Sequence, residues 1–400
     1  MNSTPASSFW NVTTKLSLIE LIAWGSLYYL FAGVLPILHA ETGWAHVWLG
    51  LGVSIALFIA GFLAPIVGRR IDNRGPREVM ITSVVTSCVG LLIWSLSSSV
   101  VAYLFAWILI GAGMAGILYP AAFAAIVRLH PQRSRQGILA ITLIAALAST
   151  IFVPTSNLLA HAIGWRETVR VFAVLLVCVL LPLTITLPKV PRNARIESSI
   201  VPPKNSADRV RSGNTTAFVA LAVALMLADA VSISFNVYLI GMLIELGQSE
   251  VGAAAIASLA GVSKIGGRLL ISVCSRFSPL VLLQISLVTK AIALGLPLFL
   301  PGGWCLSLMV VLFGVTDGAR TLLRPAMVLA LFDPHSFGVT NGKLQMFVSF
   351  SESVAPFLFG ALIVTFGWNW SWGTLVIFLA GAFFVLLLVT AESSETDRPA

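Results

Sequence analysis

The sequence predicts an all-α membrane protein of twelve transmembrane helices in two six-helix halves. Three observations predict it. Of 400 residues, 58% are hydrophobic and only 10% charged, with a mean hydropathy of +0.96, whereas soluble domains carry roughly 25% charged residues. The apolar residues come in runs of about 20, the length a helix needs to cross a bilayer. The long polar segment, Lys189 to about Asn214, falls mid-chain. A membrane β-barrel would instead show short alternating segments.

Taken in order, residues 1–14 read as a short polar tail. Spans are then expected at 15–38, 47–68, 78–97, 100–128, 137–160, 168–188, 216–244, 251–274, 279–299, 304–331, 344–366 and 372–391. The first is too long for a cleaved leader and lacks a small-residue cleavage site, so it is expected to stay as a helix. The mid-chain segment sets Lys189, Arg192, Arg195, Lys204, Arg209 and Arg211 against Glu197 and Asp208, with several prolines. It reads as a flexible cytoplasmic linker, 189–214, between halves 1–188 and 215–400.

Basic loops set the orientation. With the linker inside, Arg69 to Arg77, Arg128, Arg133, Arg135, Arg276 and Lys343 lie on the same side, and little more than Arg166 and Arg170 faces out. Trp44, Trp48, Trp165, Trp304, Trp368, Trp370 and Trp372 are then expected as an outer aromatic belt. Both termini become cytoplasmic. The net charge of +8 is accounted for by loops facing an anionic leaflet, with no nucleic acid required. Cys88, Cys178, Cys274 and Cys305 lie in or beside apolar spans without a CxxC pair and read as small packing residues. The histidines form no metal-like cluster, and no cofactor motif is present.

Between spans 2 and 3 stands Gly68-Arg69-Arg70-Ile71-Asp72-Asn73-Arg74-Gly75-Pro76-Arg77. Gly68 and Gly75 suit a tight turn, the arginines hold it inside, and Asp72 can partner those cations or a helix N-terminus. The spacing Gly68-x3-Asp72-x2-Gly75-x-Arg77 resembles the loop 2–3 signature of the major facilitator superfamily. Asn73 stands where that pattern has a basic residue, and Arg74 follows it. Repeats extend the likeness to about the whole chain. Tyr119-Pro120-Ala121-Ala122-Phe123 is echoed by Arg324-Pro325-Ala326-Met327-Val328, Pro154 then Gly164-Trp165 by Pro356 then Gly367-Trp368, and the loop signature faintly by Ser275-Arg276-Phe277-Ser278. The stretch Gly68 to Arg77 combined with an Asp- and Arg-bearing second half looks most like the bacterial monocarboxylate-transporter-like branch. The resemblance implies two bundles, a midplane cavity lined mainly by spans 1, 4, 7 and 10, and a loop whose Gly68, Asp72, Arg74, Gly75 and Arg77 take part in gating. A monomer is the family's usual state.

Ionisable groups at membrane depth cost roughly 2.5–3.5 kcal/mol each on insertion scales, so they need partners or water. In the first half Glu20 and Arg128 sit toward the cytoplasmic ends. The second half holds Asp229, Lys264, Lys290, Asp317, Arg320, Arg324 and Glu352. Asp317, Arg320 and Arg324 are spaced i, i+3, i+7 and share one helical face. A guanidinium can grip a carboxylate with two hydrogen bonds, so Arg320, Arg324 and Lys264 are substrate candidates. Asp229, Asp317 and Glu352 are candidate proton carriers, although Asp229 equally fits a fixed salt bridge to Lys264 or Arg320. Lys290, in a helix peripheral in the family, reads as structural or snorkelling. Tyr28, Tyr29, Tyr119, Asn157, Asn236 and Tyr238 are neutral cavity candidates. Gly111, Gly113, Gly116, Gly314 and Gly318 would let helices approach closely, and the resemblance places the rocking of the bundles there.

No HExxH, GxSxG or phosphate-binding glycine loop supports hydrolysis or ATP drive. The reading is a secondary transporter of a small carboxylate-bearing anion, coupled to protons, in a bacterial-type inner membrane. A carrier of a neutral aromatic compound is the alternative, favoured by the tyrosines. A membrane sensor would need an added signalling domain, and no nucleophile–base pair suggests an enzyme.

Overall fold

A computed structural model describes residues 9–189, 215–299 and 302–395. The linker expected at 189–214 lies outside them except for Lys189, as do residues 1–8 of the expected tail. The rest of that tail is helical: the chain is already wound at Phe9, because Phe9 and Val12 are buried.

The described residues form eleven helices long and apolar enough to cross a membrane. One, Pro131–Ile185, has 55 residues, about 80 Å at 1.5 Å per residue and too long for one crossing. It turns at Gly164, whose φ of 80° and ψ of 159° are non-helical. Twelve spans result. We number them α1 (Phe9–Thr42), α2 (His46–Arg74), α3 (Pro76–Leu96), α4 (Val100–Leu129), α5 (134–163) and α6 (165–185). The second set is α7 (Thr215–Glu245), α8 (Glu250–Val273), α9 (Pro279–Phe299), α10 (Gly303–Leu331), α11 (337–366) and α12 (368–395).

The sequence predicts loops of several residues between α5 and α6 and between α11 and α12. The structure has single-residue corners instead, Gly164 and Gly367, the latter with φ 78°. A residue without Cβ adopts that backbone freely, so no wider loop is needed. Trp165 follows the first corner directly and is buried, not part of an exposed belt. The Arg166 guanidinium lies 4.3 Å over its ring. Trp48, Trp304 and Trp370 do remain exposed.

The chain forms two compact units. One comprises Met1–Asp208 with Phe332–Ser349, the other Arg209–Leu331 with Phe350–Ala400. In the first, α4 packs on α2 and α3 around Trp94, Tyr103 and Trp107. Tyr103 Oη donates to Leu49 O at 2.7 Å, so the polar tip of this buried ring is satisfied. α1 is interrupted by a π-helical turn, Gly25–Tyr29, and α4 by a break before Tyr119-Pro120. In the second unit α10 packs on α8 and α9. A Cβ at Gly318 would stand 1.9 Å from Lys264 O, and one at Gly267 1.9 Å from Val315 O. The backbones touch because neither residue has a side chain. The close approach expected of the glycines is therefore real inside a unit: Gly111 meets Ala56 of α2, and Gly314 meets Ala260 and Ser263 of α8.

The arginine-rich stretch folds differently from the expected turn. Gly68 lies inside α2, and Gly75 alone, at φ 83°, makes the corner into α3. Gly68 instead admits another backbone: its Cβ would fall 1.9 Å from Gly338 O. Asp72 takes the second of its expected partners. Its Oδ1 accepts from Gly338 N at 2.9 Å and its Oδ2 from Val339 N at 2.8 Å. These are first-turn amides of α11, which have no partner in their own helix, and the carboxylate also meets the positive end of the helix dipole.

Candidate functional site: a charge network in the second unit

Helix periodicity places the network. On α7, Asp229, Ser232 and Asn236 repeat the i, i+3, i+7 spacing of Asp317, Arg320 and Arg324 on α10, so each helix presents one polar stripe. Phe235 and Phe313 stack beside the stripes with ring centroids 3.7 Å apart.

Asp317 is the hub. Its Oδ1 accepts from Lys290 Nζ at 2.8 Å and its Oδ2 from Asn236 Nδ2 at 3.3 Å. Lys264 Nζ stands 3.4 Å from Oδ2, and Arg320 Nη2 3.8 Å from Oδ1. Lys264 also donates to Asn236 Oδ1 at 3.1 Å. Arg320 Nη1 is paired with Asp229 Oδ1. Glu352, on α11, acts electrostatically on both Arg320 and Arg324. A buried carboxylate survives only with such partners, since desolvation otherwise outweighs attraction.

Lys290 takes the structural of its two expected roles. Its side chain is 1% exposed, so it does not snorkel. Its ammonium donates to Asp317 and, at 2.7 Å, to Ser232 Oγ, and sits 4.5 Å over the Phe313 ring. The signal was available: Lys290 lies too deep in an apolar run for its stem to reach water. Ser232, one turn from Asp229, was missed. Lys264 contrasts with Lys290, its side chain being 34% exposed.

Of the neutral candidates, Asn236 joins the network. Tyr238 Oη donates to Pro356 O at 3.0 Å and ties α7 to α11. In the first unit Asn157 Nδ2 donates to Gly33 O at 3.1 Å and ties α5 to α1. Tyr28, Tyr29 and Tyr119 do come together, around Trp24, which sequence reading overlooked. Their ring centroids lie 5.4, 6.3 and 5.3 Å from its own, and all four rings are half-buried. Among the described residues, no group of three or more His, Cys, Asp or Glu could hold a metal ion.

Comparison with known proteins follows the same lines. The family model described as Major Facilitator Superfamily matches residues 16–319. The chain is 26% identical over 327 residues to an MFS-type transporter of Gibberella moniliformis, covering 78% of this chain and 75% of that one. It is 24% identical over 380 residues, 95% of both, to an uncharacterized 38 kDa protein in the 23S RNA operon of Thermoproteus tenax. Its fold superposes on the human organic anion transporter MFSD10 (TETRAN) with a TM-score of 0.73 at 18% identity, covering 95% of this chain and 99% of that one. FucP in its outward conformation gives 0.74 at 15% identity, covering 94% and 98%. Such distant likenesses show the fold alone. With twelve spans, no nucleotide-binding loop and a family model matching most of its length, this chain belongs to the major facilitator superfamily and is a secondary carrier.

Proposed function

We propose that the carrier moves a small organic anion bearing a carboxylate, coupled to protons, by alternating access. What supports the anion is the charge balance of the network. Three cations, Lys264, Lys290 and Arg320, are ion-paired with two carboxylates, Asp229 and Asp317, so with these five groups ionised one positive charge is in excess. An anion would complete it. Lys264 and Arg320 are the reachable cations, with side chains 34% and 19% exposed.

Coupling then follows from electrostatics. Asp317 keeps Lys290 whatever Lys264 and Arg320 do, and stays ionised. Asp229 leans on Arg320. If Arg320 turns to a substrate carboxylate, Asp229 is left buried without its cation, and taking a proton is the cheaper outcome. Glu352, which also faces Arg320, is the second candidate, and Arg324 the second guanidinium. The Asp72 clamp on Gly338 and Val339 is the gate's latch in this reading, with Gly68, Arg74, Gly75 and Arg77 shaping it. The chain is further read as a monomer of two six-helix halves in an inner membrane. Its basic loops and both termini face the cytoplasm, and it sits closest to the monocarboxylate-transporter-like branch.

The test is thermal stabilisation of the purified protein by a panel of small carboxylates, neutral aromatic vitamins and hydrophobic drugs, since a ligand of the folded state raises the melting temperature. Carboxylates should stabilise the wild type and not Arg320→Gln. Because that change strands Asp229, the Asp229→Asn/Arg320→Gln pair supplies a neutral, foldable counterpart that should also ignore them. Carboxylate stabilisation surviving in both variants overturns the assignment. Hits confined to neutral aromatics favour the second reading, for which the Trp24, Tyr28, Tyr29 and Tyr119 cluster would supply the stacking surface.

A further inference from the structure

Glu20 is used by none of this. It lies on α1 in the other unit and is 0% exposed. Neither carboxylate oxygen has a hydrogen-bond partner. The Trp24 indole N–H, one helical turn on, acts on the carboxyl without reaching hydrogen-bond geometry and is itself unpartnered. The elements packed against α1 carry other ionisable groups: Tyr119 and Arg128 on α4, His130 and Arg133 in the turn before α5, Arg135 at its start, and Cys178 on α6. On α1 itself there is Lys15, which donates to Thr186 O at 3.2 Å. Burial and Trp24 are the influences on Glu20, and no charged group among the described residues counters its charge. Buried carboxylates that stay ionised keep cations or several donors, as Asp317 does. Glu20 keeps neither.

The surroundings also say how the site could open. Directly after Trp24 the helix widens into the π-turn Gly25–Tyr29, which carries Tyr28 and Tyr29. At Gly25 the Phe152 ring of α5 fills the place of a Cβ, with ring atoms 2.3–2.5 Å from where one would stand. π-Turns are weak points in a helix and recur at functional sites. Trp24 thus acts on Glu20, and its ring also joins the half-buried tyrosine cluster.

We propose that Glu20 is a proton-binding site of the N-terminal unit, separate from the carboxylates of the charge network, neutral in this conformation and released to water by movement of Trp24 and the π-turn. No covalent step is involved; the proton leaves Glu20 for water and returns from it. The site does not depend on the substrate being an anion, and its test uses no substrate.

The experiment is infrared difference spectroscopy of the purified full chain, wild type minus Glu20→Gln, across a pH series. The C=O band of a protonated carboxyl should be present in the wild type and missing from the variant at neutral pH. Glu20→Asp should displace that band, and it covers the case in which Glu20→Gln does not fold. Trp24→Phe, which removes the indole N–H, should shift the pH at which the band is lost. A carboxylate band at neutral pH in the difference spectrum, or a protonated band that Trp24→Phe leaves at the same pH, overturns the proposal.

Discussion

Asp317 and Lys290 offer the sharpest test of how the second unit is held. At 2.8 Å, with an effective dielectric of about 20, a unit ion pair attracts by roughly 6 kcal/mol, against roughly 5 at 3.4 Å and 4 at 3.8 Å. Lys290 is therefore the strongest of the three cations on Asp317, and being 1% exposed it has no water to fall back on. Asp317→Asn leaves that ammonium stranded and should destabilise by about 3–5 kcal/mol. Lys290→Met leaves Asp317 with Lys264, Arg320 and Asn236, so its cost should be smaller, about 1.5–3 kcal/mol. Asp317→Asn/Lys290→Met removes both charges and should cost less than the two singles together, by about 2 kcal/mol. Lys264→Met is the control: a partly solvated pair is worth at most about 1 kcal/mol. The assay is denaturant unfolding of the four variants in detergent, read by midpoint at constant slope. Additive single effects, or a Lys264→Met cost equal to that of Lys290→Met, would refute the reasoning.

Three further outcomes follow from contacts elsewhere. Asp72→Ala removes two hydrogen bonds and a charge from the start of α11 and should cost about 1–2 kcal/mol, visible as faster amide exchange at Gly338 and Val339. Gly318→Ala would drive a Cβ into Lys264 O and should destabilise by about 1–3 kcal/mol, whereas Gly266→Ala, with open space around it, should leave the melting point nearly unchanged. His130, in the turn between α4 and α5, has its imidazole pKa lowered by burial and by Arg133. The folded state thus favours the neutral ring. Its contribution is present above the ordinary imidazole value and is lost as pH falls through the lowered one; His130→Gln should flatten that acid-side loss in a pH series of melting points.

The sequence by itself determined the membrane class, the number of spans and the family. These depend on quantities that do not need a partner helix: run length against bilayer thickness, the scarcity of charge, and a loop signature around Asp72. It also determined that Asp317, Arg320 and Arg324 share a face, because helical spacing is local. It placed Asp72 near a helix N-terminus as one of two options, and the structure chose between them. What only the tertiary structure decided is which charge meets which. Lys290 reads as peripheral until α9 packs on α10 and brings its ammonium to Asp317. Lys264 and Lys290 are alike in sequence and differ in exposure. Tyr238 and Asn157 look like ligands for a solute and are occupied by backbone carbonyls of neighbouring helices. Glu20 looks like a residue near a helix end and is wholly buried. The reason is physical: hydropathy and helical period are fixed within one segment, while desolvation and ion pairing depend on what the other helices place within a few ångströms.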